Sequence, residues 1–372
     1  MNQTFYISNL NGLRFLAAFS VIIGHCELTK KELGLKNLLD SNIGFFENGG
    51  GHLGVVLFFV LSGFLITLLL LLEKERAKKI NFRKFIIRRA LRIWPVYFIF
   101  ISFVIFCVHG LGDIMTEKYN GGLLVGMYFL ILPNLAMSGF GSIMHIAHLW
   151  SIGVEEQFYI LWPLILKYLK NKFIILSMLF LIIVIPLIPH VADFLSIRFP
   201  EHQEILTKVR LFFQYFLINA MAVGGILAYV FYKFFLNREY KLNSFFSSAI
   251  VVLCIIPWAL GIHFSFMSDV IYPFIFGILI LVVSLSSPLF ILENKIIRYL
   301  GKISYGIYVY HWIIVYYFYS IMKETFGELN YFISLFSVTI ITILIASISY
   351  EFLEKNILKY KSKFAIIKSG KL

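Results

Sequence analysis

The chain is poor in charge. Of its 372 residues only 14% are Asp, Glu, Lys or Arg, where a soluble domain of this length carries about a quarter. Acid is scarcer still: 20 Asp and Glu stand against 33 Lys and Arg, a formal net charge of +13. Cys26, Cys107 and Cys254 lie singly in apolar stretches and form no CxxC. They suggest neither a disulfide framework nor a zinc site. HExxH, EF-hand, Walker A and GxSxG sequences are missing. Zinc-protease, calcium-binding, nucleotide-hydrolysis and serine-hydrolase readings therefore have no support, and no metal is expected. There is no polar half, no low-complexity stretch, no Pro/Gly-rich linker and no repeat at a fixed period, which points to a single membrane domain over 1–372. The short alternating segments of a strand barrel are missing too. The opening MNQTFYISNLNG has no basic run, and no small-residue cleavage site follows. The first apolar stretch is expected to be a retained span.

What remains is apolar: 60% of residues are hydrophobic and the mean hydropathy is +0.85. Lipid is the expected solvent, and helices satisfy their own backbone groups there. A helical span takes about 20 predominantly apolar residues. Candidates lie near 10–28, 52–72, 93–110, 122–137, 149–167, 173–190, 211–232, 245–263, 269–289, 304–322 and 332–353. Lys and Arg collect on cytoplasmic loops. Nine of them fall between Lys74 and Arg92, with further clusters at Lys167–Lys172, Lys233–Lys241, Lys295–Lys302 and Lys355–Lys371. The intervening loops, such as Asp113–Lys118, carry little or balanced charge. The surplus of base thus reads as a cytoplasmic membrane face and not as a nucleic-acid surface. Parity then removes one candidate. A chain that leaves the cytoplasm at 93–110 and is back at Lys167 crosses an odd number of times, and 122–137 is short and contains Pro133. The fold expected is an all-α, polytopic transmembrane bundle of about ten spans with 122–137 re-entrant or interfacial. Both termini, including a basic tail over 355–372, are expected in the cytoplasm, and the protein in the inner (cytoplasmic) membrane.

Ionisable groups inside spans are costly and mark function by default. Arg14 and His25 are eleven residues apart in the first span, three turns plus about 20°, and so share a face. Arg14 also suits a snorkelling anchor, and His25 a hydrogen bond to a neighbouring helix. In HLWSIGVEEQFY, His148, Ser151, Glu155 and Tyr159 form one stripe, with Glu156 on another face. Glu155 is expected at the depth of His25, where a carboxylate that orients an imidazole makes a general base. A structural polar stripe is the alternative. Ser304, Tyr308 and His311 in ISYGIYVYHW share a third face, as substrate contacts or as a polar seam. In GHLGVVLFFVLSGF, Gly54, Ser62 and Gly63 permit close helix approach, and Ser62 is also available to a ligand. Arg89 and Arg92, one turn apart before a span, suit phosphates and also topology anchoring or lipid headgroups, and their position alone favours anchoring. His52, His109, His145, His190, His202 and His263 fall at span ends or in loops and receive no role.

Together and in order, Arg14–x10–His25, GVVLFFVLSGF, Arg89–x2–Arg92 with Pro95, HLWSIGVEEQFY and ISYGIYVYH resemble the acyltransferase-3 family of bacterial membrane O-acyltransferases. The resemblance covers nearly the whole chain. It implies transfer of an acyl group, by default acetyl, from cytoplasmic acyl-CoA to a hydroxyl of a surface polysaccharide or lipid-linked sugar, such as O-antigen, capsule or peptidoglycan. It implies His25 as the catalytic base and Arg14, Arg89 and Arg92 as donor-side residues. Where the family's first motif often has an acidic residue, this chain has Asn11. Some members append a soluble esterase-like domain; here the chain stops shortly after the last span, so such a step is expected to need another protein. The competing class is a flippase or transporter of lipid-linked saccharides with buried His and Glu as a proton relay. Release of free CoA in the presence of acceptor separates the two.

Overall fold

The computed structural model describes residues 6–41, 43–110, 121–236, 241–327 and 330–367. Among them there is no strand, only an isolated bridge between Leu242 and Ser286. The helices are α1 (Leu10–Glu32), α2 (Gly50–Ala77), α3 (Phe82–Ser102, prolonged as a π-helix over Phe103–His109), α4 (Gly121–Phe129), α5 (Pro133–Gly139) and α6 (Trp150–Tyr168). There follow α7 (Asn171–Arg198), α8 (Gln203–Tyr215), α9 (Ile218–Val230), α10 (Ser244–Ala259), α11 (Ser268–Leu285) and α12 (Lys295–Lys302). The last are α13 (Ser304–Phe326), α14 (Tyr331–Ser349) and α15 (Lys355–Lys361), with a π-helical turn (Tyr350–Glu354) joining α14 to α15.

Seven helical runs are long and apolar enough to cross a membrane by length and composition: Leu10–Glu32, Gly50–Ala77, Phe82–His109, Asn171–Arg198, Pro200–Phe235, Ser268–Leu285 and Tyr331–Phe364. The protein is therefore a multi-pass membrane protein, with seven such runs where about ten spans were expected. The other three expected spans, α6, α10 and α13, are helices as well. α10 has only 16 residues. α6 and α13 carry Glu155, Glu156, His311 and a row of tyrosines, and these groups depress their hydropathy.

The stretch 122–137 is broken into α4 and α5, with Ile131 between them at φ 59° and Pro133 opening α5. The nine residues of α4 rise about 13 Å, well short of the roughly 30 Å hydrocarbon core. The two ends of this region also meet: a ring nitrogen of His109, at the end of α3, lies 3.1 Å from Met144 O and 3.3 Å from His145 Nδ1, just before α6. The end of α3 and the start of α6 are thereby held close together. Toward the other end of α3, Lys74 Nζ donates to Leu166 O (2.8 Å), and Arg88 Nη1 donates to Phe364 O (2.8 Å). The start of α3, the ends of α2 and α6 and the segment after α15 therefore share a face. The loop at 113–118, Arg238 and the last basic residues of the tail lie outside the described residues. The described part of the tail is not a free strand of charge: α15 packs along α3, and Ile367 is buried in the main core.

Close helix approach rests on glycine where expected. A Cβ at Gly54 would fall 2.1 Å from Ser20 Oγ of α1, and one at Gly63 would fall 2.0 Å from Met221 O of α9. α2 is thereby held between α1 and α9 at the centre of the bundle.

Candidate active site

Five helices turn polar side chains toward one partly open cavity. Its wall includes Arg14 of α1, Ser62 of α2, Arg89 and Arg92 of α3, Ser151, Glu155 and Tyr159 of α6, and Ser304 and Tyr308 of α13. Nine of the residues singled out from sequence thus meet in one place. Arg14 Nη1 donates to Asn11 Oδ1 (2.9 Å), so a neutral amide stands where the family often has an acid, and the charge of Arg14 is left uncancelled by it. The Arg89 guanidinium lies over the rings of Phe85 (5.4 Å) and Tyr159 (5.7 Å), and its buried Nε has no hydrogen-bond partner among the described residues. Such stacked, planar cations suit phosphate. Ser62 Oγ and Tyr159 OH are 2.9 Å apart. Ser62 is held by a neighbouring side chain as well as facing the cavity.

The three histidines of the motifs form a second cluster beyond Tyr308. His311 Nδ1 is 2.6 Å from Tyr308 O, and a carbonyl only accepts, so Nδ1 carries the proton. In neutral His311, Nε2 is then an acceptor. It lies 2.9 Å from His25 Nδ1, which is also 3.1 Å from Val21 O. His25 Nδ1–H donates to both, and the lone pair of His25 sits on Nε2, which no hydrogen bond engages among the described residues. His148 Nε2, 3.1 Å from Val309 O, is likewise the protonated nitrogen, and its buried Nδ1 has no partner among the described residues. The arrangement presents two acceptor nitrogens beside one another, with the His25 and His148 rings 6.3 Å apart. Tyr308 joins cluster and cavity. Its OH donates to His148 O (2.7 Å), which leaves Ser151 as the donor in the 2.6 Å Ser151–Tyr308 contact.

One expected pairing is corrected. Glu155 does not meet His25: it makes no hydrogen bond among the described residues and faces the arginine-lined cavity. The partner of His25 is His311. Glu156 does occupy another face, but it is buried, accepting from Trp94 Nε1 (3.1 Å). Sequence reasoning also missed Trp312, whose ring lies 4.5 Å from that of His25; its only signal was the neighbouring His311. It missed the buried ion pair of Arg88 with Glu73 (2.8 Å) too. Arg88 is the arginine of this run that holds structure, whereas Arg89 and Arg92 face the cavity.

The histidines, arginines and connecting hydroxyls thus lie on the motifs that carried the resemblance, and comparison with known proteins agrees. The acyltransferase domain family matches residues 7–351. Over 95% of its length the chain is 28% identical to the peptidoglycan O-acetyltransferase OatA of Listeria monocytogenes, and 27% identical to the O-acetyltransferase OatA of Staphylococcus aureus. It spans only 56% and 57% of these two relatives. No solved structure matches. The chain belongs to the acyltransferase-3 family.

Proposed function

We propose that this protein is a membrane O-acetyltransferase that moves an acetyl group from cytoplasmic acetyl-CoA to a hydroxyl of a cell-wall glycan, with the peptidoglycan acted on by one relative as the first acceptor to test. The observation that carries the reading is the juxtaposition of an arginine-lined cavity with a histidine cluster whose His25 Nε2 offers a free lone pair. A sugar hydroxyl is a weak nucleophile at neutral pH and needs a positioned base. His25 Nε2 takes the hydroxyl proton as the oxygen attacks the thioester carbonyl. The carbon–sulfur bond breaks, and the imidazolium returns the proton to the departing sulfur, giving an acetyl ester and CoA thiol. The donor enters from the face shared by Arg14, Arg89 and Arg92, read as cytoplasmic, where its anionic end meets guanidinium groups. The acceptor approaches His25 and His148 from the other side. Both termini are cytoplasmic in this reading, and the membrane is the cytoplasmic one.

The test is release of free CoA thiol by the purified protein, given acetyl-CoA with and without muropeptide or a lipid-linked sugar, with transfer of label to the acceptor. Acceptor-dependent thiol release supports the reading. Movement of acceptor across vesicles without thiol release would establish a flippase in its place.

A further inference from the structure

The segment after α14 folds against α3, the helix that bears the arginines of the site. The carbonyl of Phe364 accepts from Arg88 Nη1 (2.8 Å), while Arg88 Nη2 is held by Glu73 (2.8 Å). α15 packs along α3, the helix that bears Arg89 and Arg92. Lys361, half-buried at the end of α15, lies within electrostatic reach of Arg14, Arg88, Arg89 and Arg92. Five cations therefore converge. Glu73 answers Arg88, and Glu155, Glu156 and Glu354 stand within electrostatic reach of Arg89 and Arg92, which leaves one positive charge of the five uncompensated. Like charges gathered in a partly buried site repel unless an anion joins them. Among the described residues the buried Nε of Arg89, a residue only 9% exposed, has no hydrogen-bond partner and is available to an acceptor.

We propose that Lys361, brought in by the folded C-terminal segment, binds a phosphate group of the acyl donor together with Arg89 and Arg92. This rests on the donor reading above. The two side-chain types contribute differently. Arginine forks take phosphate oxygens in pairs, and the lysine ammonium adds a compact charge that follows the ligand. A phosphate-bearing lipid headgroup has the same chemistry, so the experiment separates the two sources.

The experiment is calorimetric binding of coenzyme A to the full-length protein in neutral detergent, for wild type, Lys361→Gln, Lys361→Arg and Arg89→Ala. Lys361→Gln is expected to weaken binding about tenfold, the loss of one charge-assisted hydrogen bond, and Lys361→Arg to bind nearly as wild type does. If Arg89→Ala weakens binding and Lys361→Gln does not, Lys361 is no ligand and the donor reading survives. If neither variant changes binding, the donor reading fails together with this one. Unchanged coenzyme A binding with weakened binding of a short-chain phosphatidylglycerol to Lys361→Gln in the same neutral detergent would assign the anion to lipid. A measurement on the wild type stands apart from folding of the variants. Coenzyme A is expected to protect Lys361 from an amine-acylating reagent, read by mass spectrometry, and lack of protection would overturn the proposal.

Discussion

His25 has little freedom in where it keeps its proton. Val21 O and His311 Nε2 both face its Nδ1, and neither has a hydrogen to give. The lone pair is left on Nε2 before any substrate arrives. A base of this kind contributes about 10²–10⁴-fold to a rate. His25→Ala should therefore bring acetyl transfer close to background while insertion and coenzyme A binding persist. His25→Gln should not restore it, because an amide cannot take a proton. Near-normal turnover of either variant at saturating acetyl-CoA would remove His25 from the mechanism and turn suspicion to His148. The role of His311 is separable. Val21 O alone would keep the tautomer, so what His311 adds is an acceptor for Nδ1–H as His25 becomes charged. His311→Leu should lower kcat about tenfold, the worth of one hydrogen bond to a charged group. His311→Gln, whose amide oxygen can accept, should recover part of that. Equal kcat for the two variants would show that acceptance is not what His311 contributes.

At the scale of the element, three neighbouring arginines on α3 do two different things. Arg89 and Arg92 face the cavity, and Arg88 clamps the end of α2 and the C-terminal segment to α3 through Glu73 and Phe364 O. Removing one partner of a buried ion pair leaves the other unsatisfied, a cost of about 3–5 kcal/mol. Arg88→Ala should thus lower the thermal stability of the purified protein, whereas Arg89→Ala should raise the KM for acetyl-CoA with little change in melting temperature. If the two variants exchange these phenotypes, the division is wrong. The helical wheel showed in advance which residues share a face: Ser151, Glu155 and Tyr159 do line one wall. It does not say which neighbour that face meets. Rotation and crossing of packed helices decide this, and they brought α13 and His311, not Glu155, to His25. The contact of the tail with Arg88 was illegible for another reason: it uses a backbone carbonyl, which has no signature in side-chain pattern.

At the scale of the whole molecule, the same polar groups that mark function obscure the count of spans. α6 and α13 hold most of the motif residues and fall below the hydropathy of a typical span because of them, although both are long helices. The charge pattern is the better guide to sidedness. Lys74 bonded to Leu166 O and Arg88 bonded to Phe364 O tie the loop between α2 and α3, the end of α6 and the C-terminal segment to one face. The His109–His145 contact ties the end of α3 and the start of α6 to the other. In the reading proposed above, the first face is the cytoplasmic one, as the positive-inside rule expects. Exposed positions allow this to be checked directly: Lys79 and Lys170 on the basic face and Ser142 on the opposite one. In a variant with Cys26, Cys107 and Cys254 replaced by serine, Ser142→Cys should react with a membrane-impermeant maleimide on intact cells. Lys79→Cys and Lys170→Cys should react only after permeabilisation. Labelling of Ser142→Cys from the cytoplasmic side alone, with Lys79→Cys still cytoplasmic, would mean that the region between α3 and α6 crosses the membrane and the parity argument fails. With Lys79→Cys and Lys170→Cys labelled on intact cells instead, the whole molecule would sit the other way up, and donor and acceptor would have to exchange entrances.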